Sequence, residues 1–228
     1  MSDSAATIIA TLEGRARFYD LLAALCFKPL KQETIDNLAN QDLEQFAGLN
    51  STFDEGIHDI TRYLAKRNTG TREQLAVDFT SVFVGTKTYE GKSAVPYESV
   101  FTSPDGLMCQ ESFHEVRAIF RRASFKTSDK NFIPDDHLGY ACEFMSMLSI
   151  RAIDRLKDGD STAAVGDLEL SKEFLNTHIL NWYDAYAERA NALFQTRFYR
   201  GFLKMAKGYF ESDRELVQDL IDESRNLS

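Results

Sequence analysis

The sequence predicts an all-α protein, a bundle of about ten helices, and three observations favour this fold class. Apolar residues recur with a period near 3.6 along the chain, whereas the period of 2 that is typical of strands is rare. Four prolines and twelve glycines among 228 residues leave few positions that interrupt a helix. The hydrophobic content of 43% is sufficient for a real core. We therefore expect one helical domain over residues 1–228.

The first third of the chain resembles a series of amphipathic helices. The first of them should end before Pro29, whose ring cannot continue a helix. Ser51 with Asp54, and Thr71 with Gln74, resemble capping boxes, in which side chains bond the free amides of a first turn. The predicted helices span residues 8–26, 34–40, 43–49, 51–66 and 75–84.

A long irregular loop is expected over about residues 85–108. It is rich in aromatic and apolar residues between positions 89 and 101, so we expect it to pack against the helices. A helix over residues 109–123 follows.

The central helix of the bundle should begin near His137 and end near Gly159, with apolar residues on more than one side. Pro134 disfavours helix at the residue before it, and either Asp135 or Asp136 can accept hydrogen bonds from the first turn. The connection over residues 127–135 can act as a hinge between an N-terminal part, 1–128, and a C-terminal part, 136–228. Later helices are predicted over residues 162–180, 181–195, 197–210 and 214–224.

Composition excludes several classes of function. A net charge of −9 and a pI near 5.0 argue against nucleic acid as a partner. Cys26, Cys109 and Cys142 lack the spacing of a disulfide framework or a thiolate zinc site, and we expect Cys109 and Cys142 to be inert core thiols. The N-terminus has no signal-peptide pattern and no stretch is apolar enough to span a bilayer, so we expect a cytoplasmic protein without membrane insertion.

Asp136 and His137 form a polar pair at the head of the central helix, with Glu143 two turns further on. In a structural interpretation, Asp136 caps the helix and His137 bonds a nearby loop. The alternatives are a metal- or nucleotide-dependent hydrolase centred on Asp136 and His137, or a site for the cationic group of a ligand. A helical zinc site needs a ligand four residues after His137, where Ala141 stands, and the chain has no standard nucleophile or phosphate-loop motif.

The aromatic loop segment, residues 95–101, and the polar residues at 135–137 can together form an apolar groove with a carboxylate at one end. Such a groove suits a peptide that carries arginines beside an apolar stretch. The alternative is that the loop only fills the core.

Four sequence blocks occur in order from position 78 onward. They are D-F-T-S-V-F-V-G at 78–85, V-P-Y-E-S-V-F at 95–101, P-D-D-H-L-x-x-x-x-E-F-M at 134–145, and F-L-N-T-H-I-L-N-W-Y at 174–183 with F-Y-R-G-F at 198–202. This pattern resembles the TorD/DmsD family of cytoplasmic chaperones, related to NarJ, which mature molybdenum enzymes of anaerobic respiration.

The resemblance implies an all-helical fold with no enzymatic activity and no cofactor. Members of this family bind the twin-arginine signal peptide and apo form of a molybdopterin oxidoreductase, and delay its export through the Tat translocon until the cofactor is inserted. Some members form domain-swapped dimers, so the resemblance implies either a monomer or such a dimer. Guanine nucleotide binding has also been associated with some members, but this chain has no phosphate loop.

The matched blocks also imply a set of peptide-binding residues. Carried over position by position, these are Phe79, Val82, Phe83, Pro96, Tyr97, Ser99, Asp136, His137 and, in a secondary role, Glu143. The chain departs from the family pattern at Ala141, where members often carry a glutamate, so it lacks that carboxylate. Tyr97 stands where some relatives have tryptophan and keeps an aromatic side chain.

Overall fold

A computed structural model describes residues 3–127 and 133–227 of the chain, and nearly all of the regular structure in these two ranges is helical. The all-α prediction is confirmed. The α-helices are α1 Asp3–Phe27, α2 Gln32–Asn40, α3 Ser51–Ala65, α4 Thr71–Val82, α5 Glu98–Thr102, α6 Glu111–Arg122, α7 Leu138–Lys157, α8 Ser161–Leu175, α9 Asn181–Leu193 and α10 Arg197–Arg225. A 3₁₀ turn, Leu43–Phe46, follows α2, and a π turn, Asn176–Leu180, joins α8 to α9.

Helices from the two ends of the sequence pack on each other. The first helix, α1, lies along α7, and α3 lies along α10. Gly56 and Gly201 permit the second contact, because a Cβ atom at Gly56 would lie 2.4 Å from the backbone nitrogen of Met205. These contacts cross the predicted division between residues 1–128 and 136–228. The predicted hinge, residues 127–135, falls largely outside the described residues, and the division stays a prediction.

The last helix corrects a boundary. We expected separate helices over residues 197–210 and 214–224, with the polar residues Glu211, Ser212 and Asp213 between them. Instead α10 is continuous, and Asp213 is buried within it as the partner of Arg15 on α1. A tertiary ion pair therefore overrides the local signal.

Two predicted capping boxes are also corrected. Asn50, rather than Ser51, caps α3, and its side-chain oxygen accepts from the amide of Phe53 at 2.9 Å. The hydroxyl of Thr71 accepts from the amide of Asn68, which precedes α4, so it does not cap a helix beginning at Leu75.

The predicted long loop contains regular structure of its own. Strands β1, Thr88–Tyr89, and β2, Lys92–Ser93, form a small antiparallel hairpin in which Thr88 lies opposite Ser93. The short helix α5, Glu98–Thr102, follows, so the predicted loop is interrupted twice. The hairpin is held by Arg189 on α9, which donates to the carbonyl of Ser93 at 2.7 Å.

Candidate functional site

The head of α7 reverses the predicted roles of two neighbouring residues. His137 is the N-cap, and its Nδ1 accepts a hydrogen bond from the amide of Gly139 at 3.0 Å. Asp136 bonds the loop instead, because its Oδ2 accepts from the Ser99 hydroxyl at 2.5 Å and from the Ser99 amide at 3.0 Å. His137 has the extended backbone that directly precedes the helix, so its side chain is the one placed over the first turn.

The loop segment 95–101 and the head of α7 are adjacent, as the sequence predicts. Tyr97 and His137 form an isolated antiparallel bridge. The amide of Leu138 donates to the carbonyl of Pro96 at 2.9 Å, and the amide of Glu98 donates to the carbonyl of Asp136 at 3.0 Å. We call this junction, formed by residues 96–99 and 136–138, the corner.

The corner is closed, which corrects our expectation that it heads an open cleft. Asp136 is 3% exposed and His137 is 2% exposed. The rings of Phe27 and Tyr97 cover the His137 imidazole at centroid distances of 5.2 and 5.0 Å. Both polar side chains therefore face the interior, where a hydrogen bond is stronger than in water and an unpaired polar atom is unfavourable.

Burial sets the protonation of the corner. It raises the pKa of Asp136 above the ordinary 3.8, although two hydrogen bonds from Ser99 oppose the shift. Burial lowers the pKa of His137 to about 3, so this imidazole is neutral at physiological pH, as its acceptor role requires. The Oδ1 atom of Asp136 is buried and has no hydrogen-bond partner among the residues that the structure describes.

The other predicted binding residues lie apart from the corner. Phe79 and Phe83 stack at 4.9 Å within the core, and Val82 beside them is fully buried. Glu143 lies on α7, and burial and then the charge of Asp20 on α1 raise its pKa. The peptide-binding role of all nine residues stays a prediction.

Sequence reasoning missed a groove on the other side of α5. Its volume is about 780 Å³, and side chains from α5, α6, α8 and the π turn line it. The charged residues on its surface are four carboxylates and one guanidinium, which belong to Glu98, Glu111, Glu115, Glu173 and Arg122. We call it the acidic groove.

The buried member of the acidic groove is Glu98, which is 2% exposed. Its carboxylate lies 3.0 Å from Nδ1 of His178 and accepts a hydrogen bond from the side-chain Nδ2 of Asn181 at 3.1 Å. Glu98 and His178 both fall inside matched sequence blocks, V-P-Y-E-S-V-F and F-L-N-T-H-I-L-N-W-Y. That coincidence of an acid and an imidazole is the signal that could have indicated the groove.

The cysteines are placed differently from our prediction in one case. Cys26 and Cys142 are buried, and burial raises the pKa of both thiols. Cys109 is exposed, because it lies in the turn before α6 with a backbone φ of 60°.

Within residues 3–127 and 133–227, no group of three or more metal-binding side chains is close enough to hold a metal ion. No helix in that part of the chain has the length and apolar character needed to cross a membrane.

Comparison with known proteins shows to which class of protein the chain belongs. The family model described as nitrate reductase delta subunit matches residues 47–188. The chaperone protein TorD of Vibrio cholerae serotype O1 (strain O395) is 25% identical over 219 residues, which cover 93% of this chain and 96% of that protein. TorD of Vibrio vulnificus (strain YJ016) is 25% identical over 212 residues, covering 90% and 95%. TorD of Photobacterium profundum is 25% identical over 211 residues, covering 90% and 94%.

These matches define a maturation chaperone for a redox enzyme rather than an enzyme. The chain belongs to the NarJ/TorD family, which the nitrate reductase delta subunit model describes. The resemblance seen in the four sequence blocks is thereby confirmed. The alternative of a hydrolase centred on Asp136 and His137 is overturned by this membership.

Proposed function

We propose that the protein binds the twin-arginine signal peptide of a molybdopterin oxidoreductase in the cytoplasm. Binding to the apo enzyme would delay its export until the molybdenum cofactor has been inserted. The family membership supports a chaperone role of this kind. In the proposal the chaperone acts as a monomer or a domain-swapped dimer.

One observation carries the proposal: the corner holds a buried carboxylate whose second oxygen has no partner among the described residues. Left unpaired, such an acceptor is unfavourable by about 1–3 kcal/mol, so a donor that reaches Asp136 gains this energy. A guanidinium is a suitable donor because it is always charged and presents five N–H groups.

A peptide can reach the corner only if the segment that covers it moves. Tyr97 is half-buried and forms the outer wall, while Pro96 and Ser99 lie behind it. In the proposal the peptide displaces Tyr97, and one of its N–H donors approaches Asp136 beside His137. Phe79, Val82 and Phe83 would then pack against its apolar part, with Glu143 in a secondary role.

The test is a binding titration with synthetic signal peptides from the molybdopterin oxidoreductases encoded beside this gene. We expect at least one peptide to bind with Kd at or below about 1 µM, which corresponds to about −8 kcal/mol. The control is a peptide of the same composition in scrambled order, which should bind at least about tenfold more weakly. Absence of binding by every peptide would overturn the proposal.

A further inference from the structure

The acidic groove carries charges that the fold itself does not use. Glu111, Glu115 and Glu173 are exposed at its rim, and none of them forms an ion pair with a described residue. Some carboxylates elsewhere are neutralised by an ion pair: Asp167, for example, accepts from both Arg151 and Arg155. The rim is therefore an unneutralised region of negative charge, and Arg122 is the single lysine or arginine among the described lining residues.

The floor of the groove also has unused hydrogen-bonding capacity. The His178 side chain is 9% exposed, and its Nδ1 faces the buried carboxylate of Glu98. The other ring nitrogen, Nε2, bonds to no residue that the structure describes, while the residue lines the groove. A nine-tenths buried imidazole with one nitrogen free is a binding group for a polar atom of a ligand.

An apolar edge adjoins the acidic one. Leu107 is 56% exposed and Met108 is 44% exposed, in the turn between α5 and α6. This turn adjoins the groove: Ser103 and Gln110, on either side of it, both line the groove, and the Ser103 hydroxyl accepts from the amide of Leu107 at 3.1 Å. The surface thus presents negative charge next to exposed apolar side chains, which fits a segment with cations beside an apolar run.

We infer that the acidic groove binds the arginine pair of the signal peptide, with the following apolar stretch over Leu107 and Met108. This inference rests on the proposed function and deepens it by assigning the pair to a surface that needs no opening of the corner. Glu111 and Glu115 are four residues apart, on one face of α6, and Glu173 lies on the facing helix α8. Planar guanidinium groups can bridge such carboxylates with paired hydrogen bonds, whereas an ammonium acts as a single point charge.

The experiment compares two triple variants of the full chain in titrations with the signal peptide. The groove variant is Glu111→Gln, Glu115→Gln and Glu173→Gln. The control is Glu13→Gln, Glu33→Gln and Asp219→Asn, which changes the net charge equally at exposed positions outside the groove. We expect the groove variant to weaken binding by about tenfold or more, and the control by less than about threefold.

A second peptide in which lysines replace both arginines sharpens the test. For the unchanged protein the lysine peptide should bind about tenfold more weakly, and for the groove variant the two peptides should bind equally. Equal binding of the arginine peptide by the groove and control variants would overturn the inference and leave the proposed function standing. If the unchanged protein binds neither peptide, both proposals fail.

Discussion

Two buried carboxylates, Asp213 and Asp136, show how differently this fold treats a charge. Asp213 accepts from Arg15 at 2.7 and 2.8 Å and from the Tyr19 hydroxyl at 2.6 Å. Asp136 accepts from the amide and hydroxyl of Ser99, through one of its oxygens. Its other oxygen lacks a partner within the described chain. The hydrogen-bond network around Asp213 is complete, whereas the one around Asp136 is incomplete.

The difference separates a group that holds helices together from a group whose hydrogen bonding is incomplete. The Arg15 guanidinium also donates to Ser149 and Ser171, so its network ties α1 to α7, α8 and α10. Burial is the largest influence on the pKa of Arg15 and lowers it, but the charge of Asp213, the neighbouring Tyr19 and the hydrogen bonds to Asp213 together outweigh burial and raise the pKa. At the corner no cation opposes burial, and the pKa of Asp136 is raised.

The largest effect should follow from breaking the complete network. Arg15→Met leaves Asp213 buried without its cation, and we expect the free energy of unfolding to fall by about 3–5 kcal/mol. Replacing both partners, as Arg15→Met with Asp213→Leu, should recover much of this loss because no buried charge remains. Denaturant unfolding at pH 7 measures both changes.

Arg225→Met is the matched control, since Arg225 is half exposed and pairs with Glu169 and Asp222 at the surface. Its effect on the free energy of unfolding should be within about 1 kcal/mol. An equal loss in Arg15→Met and Arg225→Met would contradict the structural role of the buried pair.

The next effect concerns pH and His137. Its pKa is about 3 in the folded protein against 6.5 ordinarily, because burial disfavours the charged form. The folded state therefore binds fewer protons, and the stability that this histidine contributes is present above pH 6.5 and lost as pH falls toward 3. At pH 5 the loss should be about 2 kcal/mol.

His137→Asn is expected to remove this dependence while keeping the helix cap, because the asparagine oxygen can accept from the Gly139 amide. The measurement is unfolding by denaturant at pH 7 and pH 5. His114→Asn, at an exposed histidine, is the control and should lose stability on acidification as the unchanged protein does. An undiminished loss in His137→Asn would show that other groups cause it.

Much of the fold could be predicted from local signals, and the failures had nonlocal causes. The period of apolar residues indicated α1, and Pro29 its end, because both signals act within one helix. The continuity of α10 could not be predicted, since it depends on Arg15 meeting Asp213 across 198 positions. The cap of α3 was misplaced by one residue because Asn50 and Ser51 are both good caps, and the bond from Asn50 to the Gly208 carbonyl is tertiary.

The candidate site shows the same limit. The adjacency of the loop and the head of α7 could be predicted, because the loop is rich in aromatic side chains that need burial and the head of α7 carries polar side chains that need hydrogen-bond partners. Sequence could not show that the corner is closed, since Phe27 from α1 supplies part of its cover. The acidic groove was missed because Glu111 and Glu173 lie on separate helices that meet only in the folded chain.

The smallest change in stability should come from Asp136→Asn, which sharpens the comparison most. The asparagine oxygen can still accept from Ser99, so at pH 7 we expect the free energy of unfolding to change by no more than about 1 kcal/mol.

The folded pKa of Asp136 is raised by burial, so its contribution to stability is present below pH 3.8 and is lost as pH rises through the folded pKa. The unchanged protein should therefore lose stability relative to Asp136→Asn from pH 3.8 upward, and the effect of His137 cancels in this difference. Under the proposed function Asp136→Asn should also bind the signal peptide more weakly although it remains folded. If peptide binding is unchanged, and the difference in the free energy of unfolding between the two proteins does not vary with pH, then Asp136 is an ordinary structural residue.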